Sequence, residues 1–330
     1  MNPIIVKEDL ERAASHLSFF KPLQDANIFI SGGTGFVGTW LAELAAYLND
    51  RHGWGMRLFL LSRRISEFIA KAPHLAIRQD ITLIERDVRS VFDIPQEVQW
   101  VIHLAASPDN REHASDPLKT MQVISGGTQN MLESTTRLPH LKKFLNVSSG
   151  LVECVVANAS SANAYVEAKR FAETLCAVYR SQHRLPIVNV RPFAFMGPYQ
   201  KLDRPWAVNN FMRDALLGGP IRILGDGETI RSYMYASDMA VWLFAILANG
   251  ESGKSYNVGS PHGIHLKDLA RKIADQCGPA RLEIFSRAEG ALKTGASRFV
   301  PDLSLCEKEL GLRLAVDLDE AICRTMAWNK

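Results

Sequence analysis

The sequence predicts an α/β fold, a doubly wound parallel sheet followed by a smaller mixed α/β unit. Three observations carry this. Short apolar runs alternate with helix-period stretches from Asn27 to Arg191, a glycine-rich turn joins the first run to the first helix, and beyond Arg191 the rhythm gives way to Pro- and Gly-marked loops. Strand, helix and strand in series mean parallel strands covered on both faces.

Taken in order, residues 1–26 read as one amphipathic helix, with Leu10, Ala13, Ala14, Leu17 and Phe20 at three-to-four spacing and Pro22 as its stop. It is expected to pack on the main domain. Strands follow at Asn27–Ser31, Arg57–Leu61, Ile81–Glu85, Trp100–Leu104, Lys143–Val147 and Pro186–Arg191. Helices are expected from the glycine turn to about Asn49, from Pro117, and from Tyr165, the last with Ala168, Phe171, Ala172, Leu175 and Val178 toward the core. After Gly197-Pro198 and Arg204-Pro205, helical stretches appear at about 207–217 and 237–248, separated by Gly218-Gly219-Pro220 and Gly225-Asp226-Gly227.

Composition narrows the function classes. Of 330 residues, 47% are hydrophobic and 22% charged, and 38 Lys+Arg against 35 Asp+Glu leave a net charge of +3. That is too small a surplus for a polyanion track, so nucleic acid is not an expected partner. The five cysteines (Cys154, Cys176, Cys277, Cys306, Cys323) are far apart and form no C-x-x-C or Cys/His cluster, which points to neither disulfides nor a metal site. Cys154 and Cys176 read as small buried hydrophobes. The longest apolar run, Met239–Ala248, falls well short of the roughly 20 residues that span a bilayer, so it reads as a buried helix. Charged residues from Lys7 to Arg12 are not the plan of a secretory signal, and a cytoplasmic location is expected.

The turn Gly32-Gly33-Thr34-Gly35-Phe36-Val37-Gly38 lies between a strand and a helix. That context is what a dinucleotide needs: a residue free at positive φ, backbone without Cβ atoms against the pyrophosphate, and helix N–H groups aimed at the anion. A Rossmann domain is expected, with Gly32, Gly35, Phe36, Val37 and Gly38 at the cofactor. At the end of the second strand a carboxylate would accept from the adenosine 2′-OH of NAD; here stand Ser62, Arg63 and Arg64, which suit a 2′-phosphate. NADP(H) is the expected cofactor, with NAD(H) as the other possibility.

Tyr165 and Lys169 stand at i, i+4, one helical turn apart, and a nearby ammonium is expected to lower the phenol toward working pH. With Ser148-Ser149 after the fifth strand, the order of motifs resembles the extended short-chain dehydrogenase/reductases, specifically the NAD(P)-dependent epimerase/dehydratase family acting on nucleotide sugars. The resemblance also rests on Asp87-Val88, His103-Leu104-Ala105-Ala106, Gly127-Thr128, Asn130-Met131-Leu132-Glu133, Arg191-Pro192, Gly225-Asp226-Gly227, Arg231 to Asp238, Tyr256-Asn257-Val258-Gly259-Ser260 and Asp302-Leu303-Ser304. It implies Ser149, Tyr165 and Lys169 as catalytic residues, Tyr165 moving the proton and Lys169 also holding the nicotinamide ribose. It further implies cofactor contacts from Asp87, Val88, Leu104, Ala105, Ala106, Arg191 and Pro192, and substrate contacts from Ser149, Ala194, Asn209, Asn210 and Arg231. Three parts are expected: a helical extension (1–26), a dinucleotide-binding domain (27–192 with 232–260) and a substrate domain (193–231 with 261–330). The family also implies a homodimer built from the helices at about 117–136 and 165–183.

Departures from the family pattern shape the reaction expected. Gly150-Leu151 replace the Asp-Glu that follows the catalytic Thr of sugar 4,6-dehydratases, which argues against dehydration. Ile124 replaces a cofactor-loop Asn, Ala194 a substrate-binding Asn, and Glu153-Cys154 the usual Tyr-Gly, so the sugar pocket is expected to differ. His103 reads as a packed strand-end residue bonded to backbone. Trp206, Phe211 and Met212 either cover a nucleotide base or fill the second domain's core, while Arg213 lies where relatives line the nucleotide pocket. Asp109, Asn110 and Arg111 read equally as substrate contacts or as an exposed loop. Together these imply NADPH-dependent reduction of a nucleotide-linked 4-keto-6-deoxyhexose. A nucleotide-sugar epimerase with tightly bound NAD(P) is the alternative, and a non-catalytic NADP(H)-binding protein stands behind both.

Overall fold

The computed structural model describes residues 3–90, 92–153, 163–277, 282–285 and 298–330; Cys154 lies outside them. Six strands, β1 (Asn27–Ser31), β2 (Arg57–Ser62), β3 (Ile81–Glu85), β4 (Trp100–His103), β5 (Lys143–Val147) and β6 (Ile187–Pro192), join Ser255–Val258 in one seven-stranded sheet. The order across it is β3, β2, β1, β4, β5, β6 and Ser255–Val258, every pair parallel. The order reverses between β1 and β4, so the carboxyl ends there flank a crevice, the place where open α/β sheets take ligands. Ile28, Phe29 and Ile30 are fully buried, as a strand covered on both faces demands.

The apolar run predicted as a buried helix is the core of Ala236–Asn249, packed beneath this sheet with Trp40, Leu41 and Leu44 of the helix Phe36–His52. A second cluster unites Val208, Phe211 and Met212 with Ile221, Ile223, Leu269, Ile273 and Ile322, drawn from helices Ala207–Leu216, Leu266–Cys277 and Leu318–Asn329. Phe211 and Met212 therefore fill core. Among the described residues no helix is long and apolar enough to cross a membrane.

Two expectations need correction. The N-terminal segment is not one helix but Pro3–Ala13, a 3-10 turn Ala14–His16, Leu17–Phe20 and a second 3-10 turn Lys21–Leu23. Ser15 Oγ donates back to Arg12 O at 2.7 Å and His16 leaves helical geometry (φ −100°, ψ 30°), a side chain competing with the ladder. The segment does pack on the main body: Asp9, buried, accepts from Tyr235 Oη and Arg324 Nε, both at 2.7 Å. The second correction concerns the helix Ala164–His183. Ala168, Ala172 and Cys176 are buried, whereas Phe171 is 51% and Val178 41% exposed. The small side chains form the stripe that approaches the protein, and Phe171 and Val178 lie on the face turned away from it.

Candidate active site

The first helix begins hard against its strand. A Cβ at Gly38 would lie 2.2 Å from the Gly33 carbonyl oxygen, and one at Gly32, where φ is +70°, would lie 3.0 Å from Ala105. Only glycine fits either place. Gly35, the N-cap, supplies no side-chain cap, so the first-turn N–H groups of Phe36–His52 stay available to an anion. This cradle, open because it lacks Cβ atoms, fits a dinucleotide pyrophosphate. Leu104 N–H donates to Ser31 O at 2.9 Å, which sets Leu104, Ala105 and Ala106 on the floor of the crevice.

At the end of β2 the Thr34 hydroxyl donates to Ser62 Oγ at 2.6 Å, joining strand and glycine loop. Arg63 and Arg64 follow, Arg64 pairing with Glu67 at 3.1 Å. Asp87 bonds Arg89, which holds its carboxyl down at about 2. Val88, buried, accepts from Asn130 Nδ2 at 3.2 Å and packs so closely on Gly127 that a Cβ there would meet it at 2.8 Å.

Ser149 stands two residues beyond β5 and Tyr165 in the first turn of its helix, with the Ser149 hydroxyl placed to favour the phenolate. Lys169, buried beneath, sits 6.0 Å from the Tyr165 ring centre and donates to Val147 O at 2.7 Å. The expected fall of the Tyr165 pKa is not found. Burial raises it, with the Ser149 hydroxyl pulling the other way, and burial brings Lys169 down to about 8. Desolvation of the phenolate outweighs the help of the Ser149 hydroxyl. His113 stacks on Tyr165, ring centres 4.3 Å apart and 12° from parallel, with Nε2 donating to Ser107 O at 2.7 Å.

His103 is buried as expected, but it bonds hydroxyls, not backbone. Thr128 Oγ1 gives its hydrogen to Ile124 O at 2.7 Å, so it accepts from His103 Nε2 at 3.1 Å, and Ser31 Oγ donates to Nδ1 at 2.6 Å. Burial, reinforced by Lys169, pushes this imidazole down to about 3, so it stays neutral. Ile124 packs with Ala168 and Ala172 against Tyr165. Asp109 is neither an exposed loop nor a free substrate contact. Buried, it caps the helix Asn110–Ser115 and takes Arg111 at 2.7 Å and Arg204 at 2.9 Å, which hold its carboxyl far below the usual range.

Other predicted residues scatter more widely. Arg191 faces carboxylates, Glu173 at 2.7 Å and Glu153 at 2.9 Å, and Pro192 ends β6. Ala194 begins the short strand Ala194–Met196, paired with Tyr233–Tyr235. Asn209, buried, donates to Lys201 O at 2.8 Å; Asn210 accepts from Arg213 Nη2 at 3.1 Å; Trp206 precedes their helix, half-buried. Arg231 lies over the Phe299 ring at 5.9 Å. Sequence reasoning missed His113, the Asp109–Arg204 tie and Lys71, whose Nζ donates to Thr34 O and Thr39 Oγ1, both at 2.8 Å. The Tyr165, Arg204, Thr34 and Thr39 ends of these contacts are 32 to 95 positions away in the chain, and no local pattern announces such contacts.

A glycine cradle at the sheet's switch point with a Ser/Tyr/Lys set beside it defines a dinucleotide-dependent α/β enzyme. Residues 28–259 match the NAD dependent epimerase/dehydratase family, and the chain belongs to it. It is 26% identical to UDP-glucuronic acid decarboxylase 1 of Xenopus tropicalis, over 97% of this chain and 76% of that protein. In fold it is similar to Bordetella bronchiseptica WbmF in complex with NAD+ and UDP (24% identity, TM-score 0.77, 93% of each chain covered). It is similar again to the UDP-glucuronic acid 4-epimerase of Bacillus cereus (21% identity, TM-score 0.77, 92% of this chain and 98% of that one).

Proposed function

We propose that this enzyme uses NADPH to reduce a keto group, at C4, of a nucleotide-linked 6-deoxyhexose. The coarser part, nucleotide-sugar chemistry of the dehydratase, decarboxylase or epimerase kind, draws on the family match and on the UDP-sugar enzymes it resembles. The observation that carries the finer part is the end of β2, where Arg63 and Arg64 stand and no carboxylate follows Ser62. A phosphate-selective cofactor site suits a net reductant. Gly150-Leu151 offer no acid for eliminating water.

NADPH, when bound against the glycine cradle and the crevice floor, supplies the hydride. Ser149 donates a hydrogen bond to the substrate oxygen as negative charge develops on it, and Tyr165 gives that oxygen its phenolic proton. Lys169 stabilises the phenolate left behind. Arg231 and the Asn209–Arg213 segment serve the nucleotide diphosphate and base.

Epimerisation is the second reading, because the same three side chains would serve a transient ketone and the fold is that of a known 4-epimerase. Incubation with a panel of UDP- and dTDP-sugars, UDP-glucuronate and their 4-keto-6-deoxy forms separates the two. Stoichiometric loss of NADPH with a keto sugar is expected; interconversion of saturated sugars without net NADPH loss establishes the epimerase instead. Tyr165→Phe is expected to lower kcat by roughly 10²–10⁴-fold.

A further inference from the structure

We infer that Lys71 and Lys201 join Arg63 in a phosphate site, so that the adenosine 2′-phosphate is read by three separate parts of the chain and not by the end of β2 alone. The inference rests on the NADP(H) reading above and extends it to residues that no sequence motif marks.

Lys71 ends the short helix Ser66–Lys71 and is drawn in against the glycine loop, its two acceptors being the Thr34 carbonyl and the Thr39 hydroxyl. Thr34 is also the residue tied to Ser62, next to Arg63. Among the described residues no carboxylate lies within ion-pair distance of Lys71 Nζ. A half-buried ammonium held by two neutral oxygens and the Phe68 ring, 5.5 Å away, lacks the full counter-charge that burial ordinarily requires.

The neighbouring acids are already engaged. Glu67 is shared by Arg64 at 3.1 Å and Lys201 at 3.6 Å, Asp87 is bonded by Arg89 at 2.8 Å, and Glu85 accepts from Ile65 N–H at 3.5 Å. Arg64 and Lys201 thus share Glu67, the one carboxylate whose charge reaches Lys71, while Arg89 and Arg63 share Asp87, so positive charge exceeds negative at both places. A phosphate monoester dianion carries the complementary charge.

Lys201 comes from a separate part of the chain, the loop between Ala194–Met196 and Ala207–Leu216, and its carbonyl is fixed by Asn209 Nδ2 at 2.8 Å. That loop also carries Arg204, bonded to Asp109. Occupation of the phosphate site would therefore hold the same loop that borders the substrate side.

Burial and the repulsion of Lys201 bring Lys71 down to about 8, with Glu67 the opposing carboxylate. A dianion placed beside it raises that value, so binding near pH 8 takes up a proton. Calorimetric titration of the full chain with NADPH, NADH and 2′,5′-ADP, in buffers of different ionisation heat, reads affinity and proton uptake together.

Wild type is expected to favour NADPH. Lys71→Met should weaken NADPH and 2′,5′-ADP at least tenfold, leave NADH within about twofold and abolish proton uptake, and Lys71→Arg should restore NADPH affinity. Lys201→Met, at a side chain that is largely solvent-exposed, should weaken NADPH several-fold with NADH unchanged, and decides the matter if Lys71→Met disturbs the loop. Equal losses for NADPH and NADH in Lys201→Met, or an unchanged ratio in both variants while wild type prefers NADPH, overturns the inference alone. Equal wild-type affinity for the two dinucleotides overturns the NADP(H) reading and this inference with it.

Discussion

Tyr165 and Lys169 are both moved by burial, the phenol up and the ammonium down to about 8, and the two shifts oppose each other in function. In the proposed roles, the ammonium that would stabilise the phenolate is itself lost as pH rises through about 8. The rate of proton transfer is therefore expected to fall above that pH. Lys169→Met should lower kcat and remove this limb of the pH–kcat profile; a variant that keeps the limb assigns it to another group. His113 acts on the same ring from its face. Aromatic stacking is worth about 0.5–1.5 kcal/mol, so His113→Ala should cost up to about tenfold in kcat, while His113→Phe, which keeps a flat ring against Tyr165, should recover most of it. Full turnover in His113→Ala would show that the phenol is held well enough by Ser149 and its own helix.

Elements made by local rules were legible from the sequence. β1 through β6 fall within one or two residues of their apolar runs, and the glycine loop stands where strand and helix patterns meet, because both signals are contained in a few consecutive residues. Gly38→Ala tests that element directly: its Cβ would meet the Gly33 carbonyl at 2.2 Å, and the strand–helix junction would have to open. Dinucleotide affinity, read by fluorescence titration, should fall at least tenfold. The faces of helices were less legible, since an apolar stripe does not say which neighbour it meets. Asp238 illustrates what tertiary contact adds. On the buried helix Ala236–Asn249 it accepts the N–H groups of Ala315 and Val316, both at 3.1 Å, and burial raises its carboxyl to about 7. A carboxyl raised by folding contributes stability that is complete below its ordinary value near 4 and is lost as pH rises through about 7. Asp238→Asn keeps an acceptor for both N–H groups and carries no charge. Its Tm relative to wild type should therefore rise between pH 5 and 8, by about 2 °C or more.

At the scale of the whole molecule, the central strands β1, β4 and β5 are buried on both faces, yet the helices outside the sheet are not equally covered. Within 117–136 and Ala164–His183, Leu118 is 73% exposed and Met121, Phe171 and Val178 are also exposed, while the same helices bury Ile124, Met131, Ala168 and Ala172. Large apolar side chains held in water on two adjoining helices are a cost that a partner surface removes, at roughly 25 cal/mol per Å² of apolar area covered. A C2 homodimer meets this need most simply, because one patch then covers its own copy. The helices concerned are the ones that carry Tyr165, Lys169 and the Val88 contact of Gly127, so pairing them would also stiffen the wall of the crevice. Light scattering at micromolar concentration should give twice the chain mass. Phe171→Asp with Leu118→Asp places charge on this surface without touching a buried contact, and should give a folded monomer with unchanged dinucleotide affinity. A wild-type monomer, or a double variant that remains dimeric, would show that these side chains serve no self-association.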